Sequence, residues 1–186
     1  IEPSPRLIDD VKFVKNTKRP IRLGDRFTRW RPETYDQNGE VNAHRRFTLE
    51  ADHVCIIGGG YGVTTVHAAR QVGGDGLTTV FEGGDISSEL RKVAELNDVD
   101  DIVSVNKAII CEATTLYRGM AEDSEVIDPA DLPACDVLEM DCEGSELGIL
   151  SNMQIRPRVL IIELHPTMYD APNAAPVEMI EEMGYE

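Results

Sequence analysis

The chain has 186 residues, 41% of them hydrophobic, and its 34 Asp and Glu against 18 Lys and Arg leave a formal net charge of −16. That length suits one domain with a real core, while the acidic balance argues against a general nucleic-acid binder and against docking on an anionic membrane. The longest apolar run, over 159–162, stops at Glu163, far short of a membrane span, and residues 1–10 carry two prolines and three acids, unlike a signal peptide, so a cytoplasmic protein is expected.

Charge divides along the chain. Residues 1–50 hold eleven basic and eight acidic residues, whereas residues 51–186 hold seven and twenty-six. Arg outnumbers Lys thirteen to five. Such a surface suits a salt-rich cytoplasm, as in a halophile, where hydrated carboxylates keep a protein dispersed; ordinary acidic drift would give the same composition. Arg19, Arg22, Arg26, Arg29 and Arg31 crowd a stretch containing Pro20 and Pro32 with no clean period. Residues 1–50 therefore read as an irregular N-terminal extension and 51–186 as the domain that carries the chemistry.

From position 53 onward, short β-rich runs alternate with helical patterns, which predicts βαβ units and a parallel sheet. A strand over 53–57 ends in Gly58-Gly59-Gly60-Tyr61-Gly62, and a helix over 63–71 follows, stopped by Gly73-Gly74. The next strand, 77–81, is capped by Glu82 and another glycine pair. A helix beginning near Ile86, with Asp85 or Ser87 as N-cap, turns Leu90, Val93, Ala94 and Leu96 inward. A strand over 102–105, extended chain over 108–116 and a polar loop over 117–134 lead to a strand over 137–140. That strand runs into Asp141-Cys142-Glu143-Gly144-Ser145-Glu146 and a short helix to about Leu150. The strand over 159–164 opens with four consecutive aliphatic residues, as a doubly covered strand requires, and a last helix covers 177–183. The expected fold is α/β: a Rossmann-like doubly wound, mostly parallel sheet with helices on both faces. Gly184-Tyr185 after that helix reads as the start of another strand, so a C-terminal hairpin is expected beyond Glu186. Cys55, Cys111, Cys135 and Cys142 show no metal-ligand spacing and are expected as reduced thiols.

Closely spaced glycines between a strand and a helix let a ligand approach bare backbone at a helix N-terminus. A dinucleotide fingerprint, GxGxxG, would need glycine where Val63 stands, whereas GxGxG fits at Gly58, Gly60 and Gly62. That spacing suits the carboxypropyl and ribose portion of S-adenosylmethionine (SAM) better than a pyrophosphate, although glycines also end strands for steric reasons alone. Glu82, twenty residues past Gly62 at the tip of the second strand, is placed to accept hydrogen bonds from both ribose hydroxyls. A solvated loop acid is the competing reading, and beside the glycine loop it is the weaker one.

The runs Val54-Cys55-Ile56-Ile57-Gly58-Gly59-Gly60-Tyr61-Gly62, Val80-Phe81-Glu82, Leu138-Glu139-Met140-Asp141-Cys142-Glu143-Gly144-Ser145-Glu146 and Ile161-Ile162-Glu163-Leu164-His165-Pro166 resemble the FkbM-type class I methyltransferases, whose fourth strand shows K-x-D-x-E-G-x-E. The resemblance covers about residues 50–186. It implies SAM as cofactor, held by Gly58, Gly60, Gly62 and Glu82, with Asn106 and Lys107 bordering the adenine and Asp141 near the sulfonium and methionine end. Two positions depart from the family pattern. The acid two residues before the first glycine, which holds the ligand's amino group, is Ile56 here, and the Lys before the fourth-strand Asp is Glu139. Asp141 is the available substitute for the missing acid, and a non-catalytic member of the family is the alternative.

Methyl transfer from a sulfonium is an in-line displacement, so the protein must hold the acceptor atom against the methyl group in a water-poor pocket. A hydroxyl acceptor also needs a base. Strand C-termini of a doubly wound sheet open on one edge, so Asp141, Glu143, Glu163 and His165 should converge there. Asp141, His165 and Glu143 are the candidate catalytic residues, with His165 or Glu143 as the base. Each has a plainer explanation: Glu143 and Glu146 complement a helix start, and His165 bonds a backbone carbonyl. Four acids and a histidine also have the donors for a divalent ion, but their spacing matches no established metal pattern, so no metal is expected. His44, His53 and His67 are expected in packing or surface roles. Trp30, Tyr35 and the Arg cluster precede the first strand, where class I methyltransferases often place substrate-covering elements. The arginines would favour an anionic acceptor such as a phosphorylated or carboxylated sugar, although pairing with the chain's own carboxylates explains them better. The expected function is SAM-dependent O-methylation of a small-molecule or glycan hydroxyl, with a homodimer as a compatible assembly. Its rivals are an NAD(P)-dependent oxidoreductase, disfavoured by Val63, and a non-catalytic interaction module that has kept the fold.

Overall fold

A computed structural model describes residues 38–111, 124–165, 168, 172 and 175–186, together with four short strands that precede them. Of those four, β1 (Arg6–Ile8) pairs antiparallel with β2 (Val11–Phe13), and β3 (Arg22–Leu23) with β4 (Arg26–Phe27). Arg19, Arg29, Trp30, Arg31 and Tyr35 lie outside the described residues. Helix α1 (Asn38–Phe47) then leads into β5 (His53–Ile57), α2 (Val63–Val72), β6 (Leu77–Phe81), α3 (Ser87–Leu96) and β7 (Val103–Asn106). The short parallel pair β8 (Ala108–Ile110) and β9 (Glu125–Ile127) precedes β10 (Val137–Met140), α4 (Glu146–Asn152), β11 (Val159–Ile162) and α5 (Ala175–Glu182).

The central sheet has the order β11-β10-β5-β6-β7, and every neighbouring pair in it is parallel. The chain enters at the middle strand, winds outward to β7, and crosses back to build β10 and β11 on the other side. The reversal between β5 and β10 opens a crevice at their carboxyl ends, where such sheets take ligands. Gly58 follows β5 there and Asp141 follows β10.

Alternation along the strands divides the core into two layers. Cys55, Ile57, Leu138 and Met140 pack towards Ile149 and Leu150 of α4 and Met179 and Ile180 of α5. Val54, Ile56, Val80 and Val137 pack towards Ala68 and Val72 of α2 and Leu90 of α3. Each fully buried Ile or Leu contributes about 1.5–3 kcal/mol of transfer free energy. Covered on both faces, β5 and β10 read as nearly unbroken apolar runs. Glu139, 1% exposed in the middle of β10, is the exception.

Helix α2 is buried on more sides than its own sequence indicates, since Thr64, Thr65 and His67 are enclosed along with its aliphatic stripe. The cause lies in α1, whose Val41 joins Val63, Val66 and Ala69 in one cluster. Helix α3 also departs from expectation, because neither Asp85 nor Ser87 caps it. Ile86 takes the N-cap position with right-handed helical angles and no side-chain cap bond, and the Ser87 N–H is met instead by the Gly84 carbonyl at 3.2 Å. The glycine turn has already wound into the helix, so no side-chain cap is needed.

Candidate active site

The glycine loop is built by close backbone approach. Gly58, Gly60 and Gly62 all have positive φ, of 90°, 48° and 84°. A Cβ on Gly58 would lie 1.8 Å from the Asp141 carbonyl oxygen, so β5 and β10 can be neighbours at this height only with glycine here. Gly62 stands immediately before α2, leaving the loop at that helix's N-terminus. The structure ties the loop to the predicted ribose acid: the Gly60 N–H donates to Glu82 Oε2 at 2.9 Å, and the Gly84 N–H donates to Oε1 at 2.8 Å. Burial pushes the Glu82 carboxyl up, and these two N–H bonds offset part of that rise.

On the neighbouring edge, Asn106 closes β7 and its carbonyl accepts the Glu82 N–H at 3.0 Å. Its side-chain amide donates to the Val80 carbonyl at 3.3 Å, so Asn106 braces the turn after β6. Lys107 Nζ lies 3.8 Å from Oδ1 of Asp85, at the exposed rim of that turn. Asn106 thus adjoins Glu82 and Lys107 adjoins Asp85.

The acids after β10 and β11 converge with His165. The Asp141 N–H donates to the Ile57 carbonyl at 2.9 Å, and the Glu163 N–H to the Met140 carbonyl at 2.9 Å, continuing the strand pairing into the site. His165 Nε2 lies 3.6 Å from Asp141 Oδ1 and 3.8 Å from Glu163 Oε1. Asp141, Glu163 and His165 each offer one donor atom, all within 4.8 Å of one another. Glu143, at φ 55°, precedes Gly144 at φ 99° in the turn that leads to α4. Burial, with Glu163, Glu139 and Glu143 nearby, pushes Asp141 up to about 7 against the pull of His165. For His165, burial favours the neutral ring, but the hydrogen bond and charge of Glu146, with Asp141 and Glu143, outweigh it and raise the imidazole above its ordinary value.

The shift on Asp141 has a direct consequence for stability. The unfolded chain releases this proton near 3.8, whereas the folded protein holds it to about 7, so stability falls as pH rises between those values. Asp141→Asn removes the charge and should stabilise the free protein at pH 8 by on the order of 2 kcal/mol, allowing for the water that reaches the carboxylate. Urea unfolding at pH 5 and pH 8 checks this; a variant no more stable than the parent at pH 8 would refute it.

Two contacts at the site join residues that the sequence leaves apart. His44 of α1, 0% exposed, donates from Nε2 to Glu139 Oε2 at 2.5 Å and shares a 2.9 Å hydrogen bond with the Thr48 hydroxyl through Nδ1. His165 donates from Nδ1 to Oε1 of Glu146 at 2.8 Å, and Glu146 is also 0% exposed. The signal for the first was a charged residue in an otherwise apolar strand. The helix-start position of Glu146 concealed the second.

A family model for the methyltransferase FkbM domain matches residues 1–186. No curated protein matches at a significant level. Among solved structures, a SAM-dependent O-methyltransferase from Thermotoga maritima gives a TM-score of 0.52 at 16% identity, covering 80% of this chain and 50% of that one. Precorrin-6y C5,15-methyltransferase from Geobacter metallireducens gives 0.52 at 15% identity, over 79% and 70%. An O-methyltransferase from Bacillus cereus in complex with SAH gives 0.48 at 16%, over 77% and 65%. The chain thus spans 50% and 65% of the two O-methyltransferases. At such identities the first two attest the fold. With its sheet order and whole-length family match, the chain belongs to the FkbM methyltransferase family and has the class I methyltransferase fold.

Proposed function

We propose that this chain, through residues 51–186, transfers a methyl group from SAM to a hydroxyl of a small molecule or glycan, and that its charge of −16 suits a salt-rich cytoplasm. The observation that carries this reading is the meeting of the glycine loop, Glu82 and the Asp141–His165 cluster along one sheet edge. The residues fit the cofactor. Each Glu82 oxygen accepts one backbone N–H and retains a further lone pair, so the carboxylate can stay anchored while it receives both ribose hydroxyls. Asn106 and Lys107 would border the adenine. Ile56 is wholly buried and offers no carboxylate to the amino group, which leaves Asp141 as its nearest acid after β10.

Bound there, SAM would supply an electrophilic methyl group on a sulfonium, with the thioether SAH as its leaving group. Asp141, directly after β10, would hold the sulfonium and methionine end. His165 Nε2 takes the acceptor's hydroxyl proton as the oxygen–carbon bond forms, and later releases it to solvent, with Glu143 as the other candidate base. Val63, 1% exposed and packed in the core, stands where a dinucleotide loop needs its third glycine, which disfavours the oxidoreductase.

Calorimetry with S-adenosylhomocysteine (SAH), at high salt, tests the cofactor. Glu82→Ala should weaken binding by roughly 10- to 100-fold, the worth of losing hydrogen bonds to a charged acceptor. Unchanged affinity would remove the ribose assignment, and a parent protein that binds NADH but not SAH would replace this reading with the oxidoreductase.

A further inference from the structure

We infer that Glu146 is the positioning residue for His165, holding the imidazole with its proton on Nδ1 and thereby presenting Nε2 to the crevice as a proton acceptor. Only the use of that acceptor rests on the methyltransferase reading; the orientation of the ring stands on geometry alone.

Glu146 opens α4, where an acid in the first turn complements the helix dipole. Dipole complementarity alone does not require burial, yet this side chain is 0% exposed. One of its oxygens, Oε1, lies 2.8 Å from His165 Nδ1, and the other, Oε2, is buried with no hydrogen-bond partner among the described residues. A buried carboxylate oxygen without a partner is costly, so helix capping is an insufficient account of the residue. The backbone shows how it arrives there. Positive φ at Glu143 and Gly144 turns the chain sharply after Asp141, and α4 starts two residues later. β11 ends at Ile162, and His165 comes back over that turn from the next strand.

A carboxylate accepts and does not donate, so the proton in the Nδ1 bond belongs to the ring. The bond at one ring nitrogen decides which proton the other carries. Nε2 sits 3.6 Å from Asp141 and 3.8 Å from Glu163, both longer than a hydrogen bond. Among the described residues, the charged groups facing the ring are Glu146 from α4, Asp141 and Glu143 from the loop after β10, and Glu163 after β11. Of these, Glu146 is the one within hydrogen-bond distance of a ring nitrogen, and so the one placed to fix the tautomer.

The test is to follow His165 in the full chain labelled with 15N-histidine, by long-range proton–nitrogen spectra across a pH titration. The chain has four histidines, and His165→Ala identifies the right resonances. The parent should show the neutral ring protonated on Nδ1. In Glu146→Gln the amide oxygen still accepts, so the tautomer should persist while the titration moves to lower pH with the charge gone. In Glu146→Ala the proton should move to Nε2, with the titration again lowered. A parent ring protonated on Nε2, or a Glu146→Gln titration that does not move, overturns the inference; the near-isosteric Gln variant decides even if the Ala variant does not fold. Titration with Mn2+ adds a further outcome. Selective broadening of His165 at stoichiometric metal would make Nε2 a ligand alongside Asp141 and Glu163, and would overturn its role as proton acceptor. SAH calorimetry keeps the two readings separate: both variants should bind within about threefold of the parent. A parent that fails to bind SAH would sink the methyltransferase reading and leave the tautomer result standing.

Discussion

Gly58→Ala should abolish SAH binding and lower stability by about 3 kcal/mol or more. The added Cβ would sit 1.8 Å from the Asp141 carbonyl oxygen and 2.7 Å from its carbonyl carbon. Both are backbone atoms held in place by the Asp141 N–H bond to Ile57 at 2.9 Å, so no side chain can rotate away to make room. The residue's φ of 90° adds strain for any L side chain. Relief requires β5 and β10 to part at the crevice, and that motion separates the glycine loop from Asp141. A thermal midpoint lowered by about 10 °C and a flat calorimetric trace are the expected readings. Gly74→Ala is the control, since a Cβ there would meet nothing within 4 Å; its stability should stay within about 0.5 kcal/mol of the parent. SAH binding that survives in Gly58→Ala would show that the ligand does not depend on this contact.

His44→Ala should cost about 1–3 kcal/mol, the penalty for leaving a buried hydrogen-bonding group without its partner. Glu139 is 1% exposed, its Oε2 meets His44 at 2.5 Å, and its Oε1 already lacks a hydrogen bond among the described residues. Chemical denaturation measures the loss. Replacing the pair together, His44→Leu with Glu139→Leu, should recover most of it, because then the carboxyl group is no longer buried alone and only the Thr48 hydroxyl loses a partner. A loss below about 1 kcal/mol in the single variant would mean that Glu139 finds another partner.

The strand that carries Glu139 also brings the two departures from the family pattern together. Ile56 and Glu139 are direct partners in the β5–β10 register, so the missing acid and the missing Lys are neighbours on one face of the sheet. The carboxyl group at this register stands on β10, and α1 supplies its hydrogen-bond partner. In the sequence these are two separate anomalies, far apart along the chain, and only the register of the sheet joins them.

Much of the architecture is legible in the sequence. Period-2 and unbroken apolar runs mark β5, β6, β10 and β11, and the glycine pairs mark where strands hand over to helices. The GxGxG spacing and the distance to Glu82 point to one another, and the structure joins them through Gly60. The role of α1 is not legible, because its core-facing residues, Val41 and His44, sit in a segment dominated by charge. The start of α3 differs from its sequence signal for a related reason: cap preferences describe an isolated helix end, and here a glycine turn supplies the carbonyl instead.

What the sequence determined by itself were the local matters, namely the alternation of strands and helices, the bare glycine backbone and the acid at the tip of β6. These follow from periodicity and steric need within a few residues. Which acids among the 34 Asp and Glu are buried against a histidine was decided only by the tertiary structure. Glu146 meets His165 across 19 residues and Glu139 meets His44 across 95. A carboxylate acquires its behaviour from burial and from the donors that reach it, and both are properties of the packed chain.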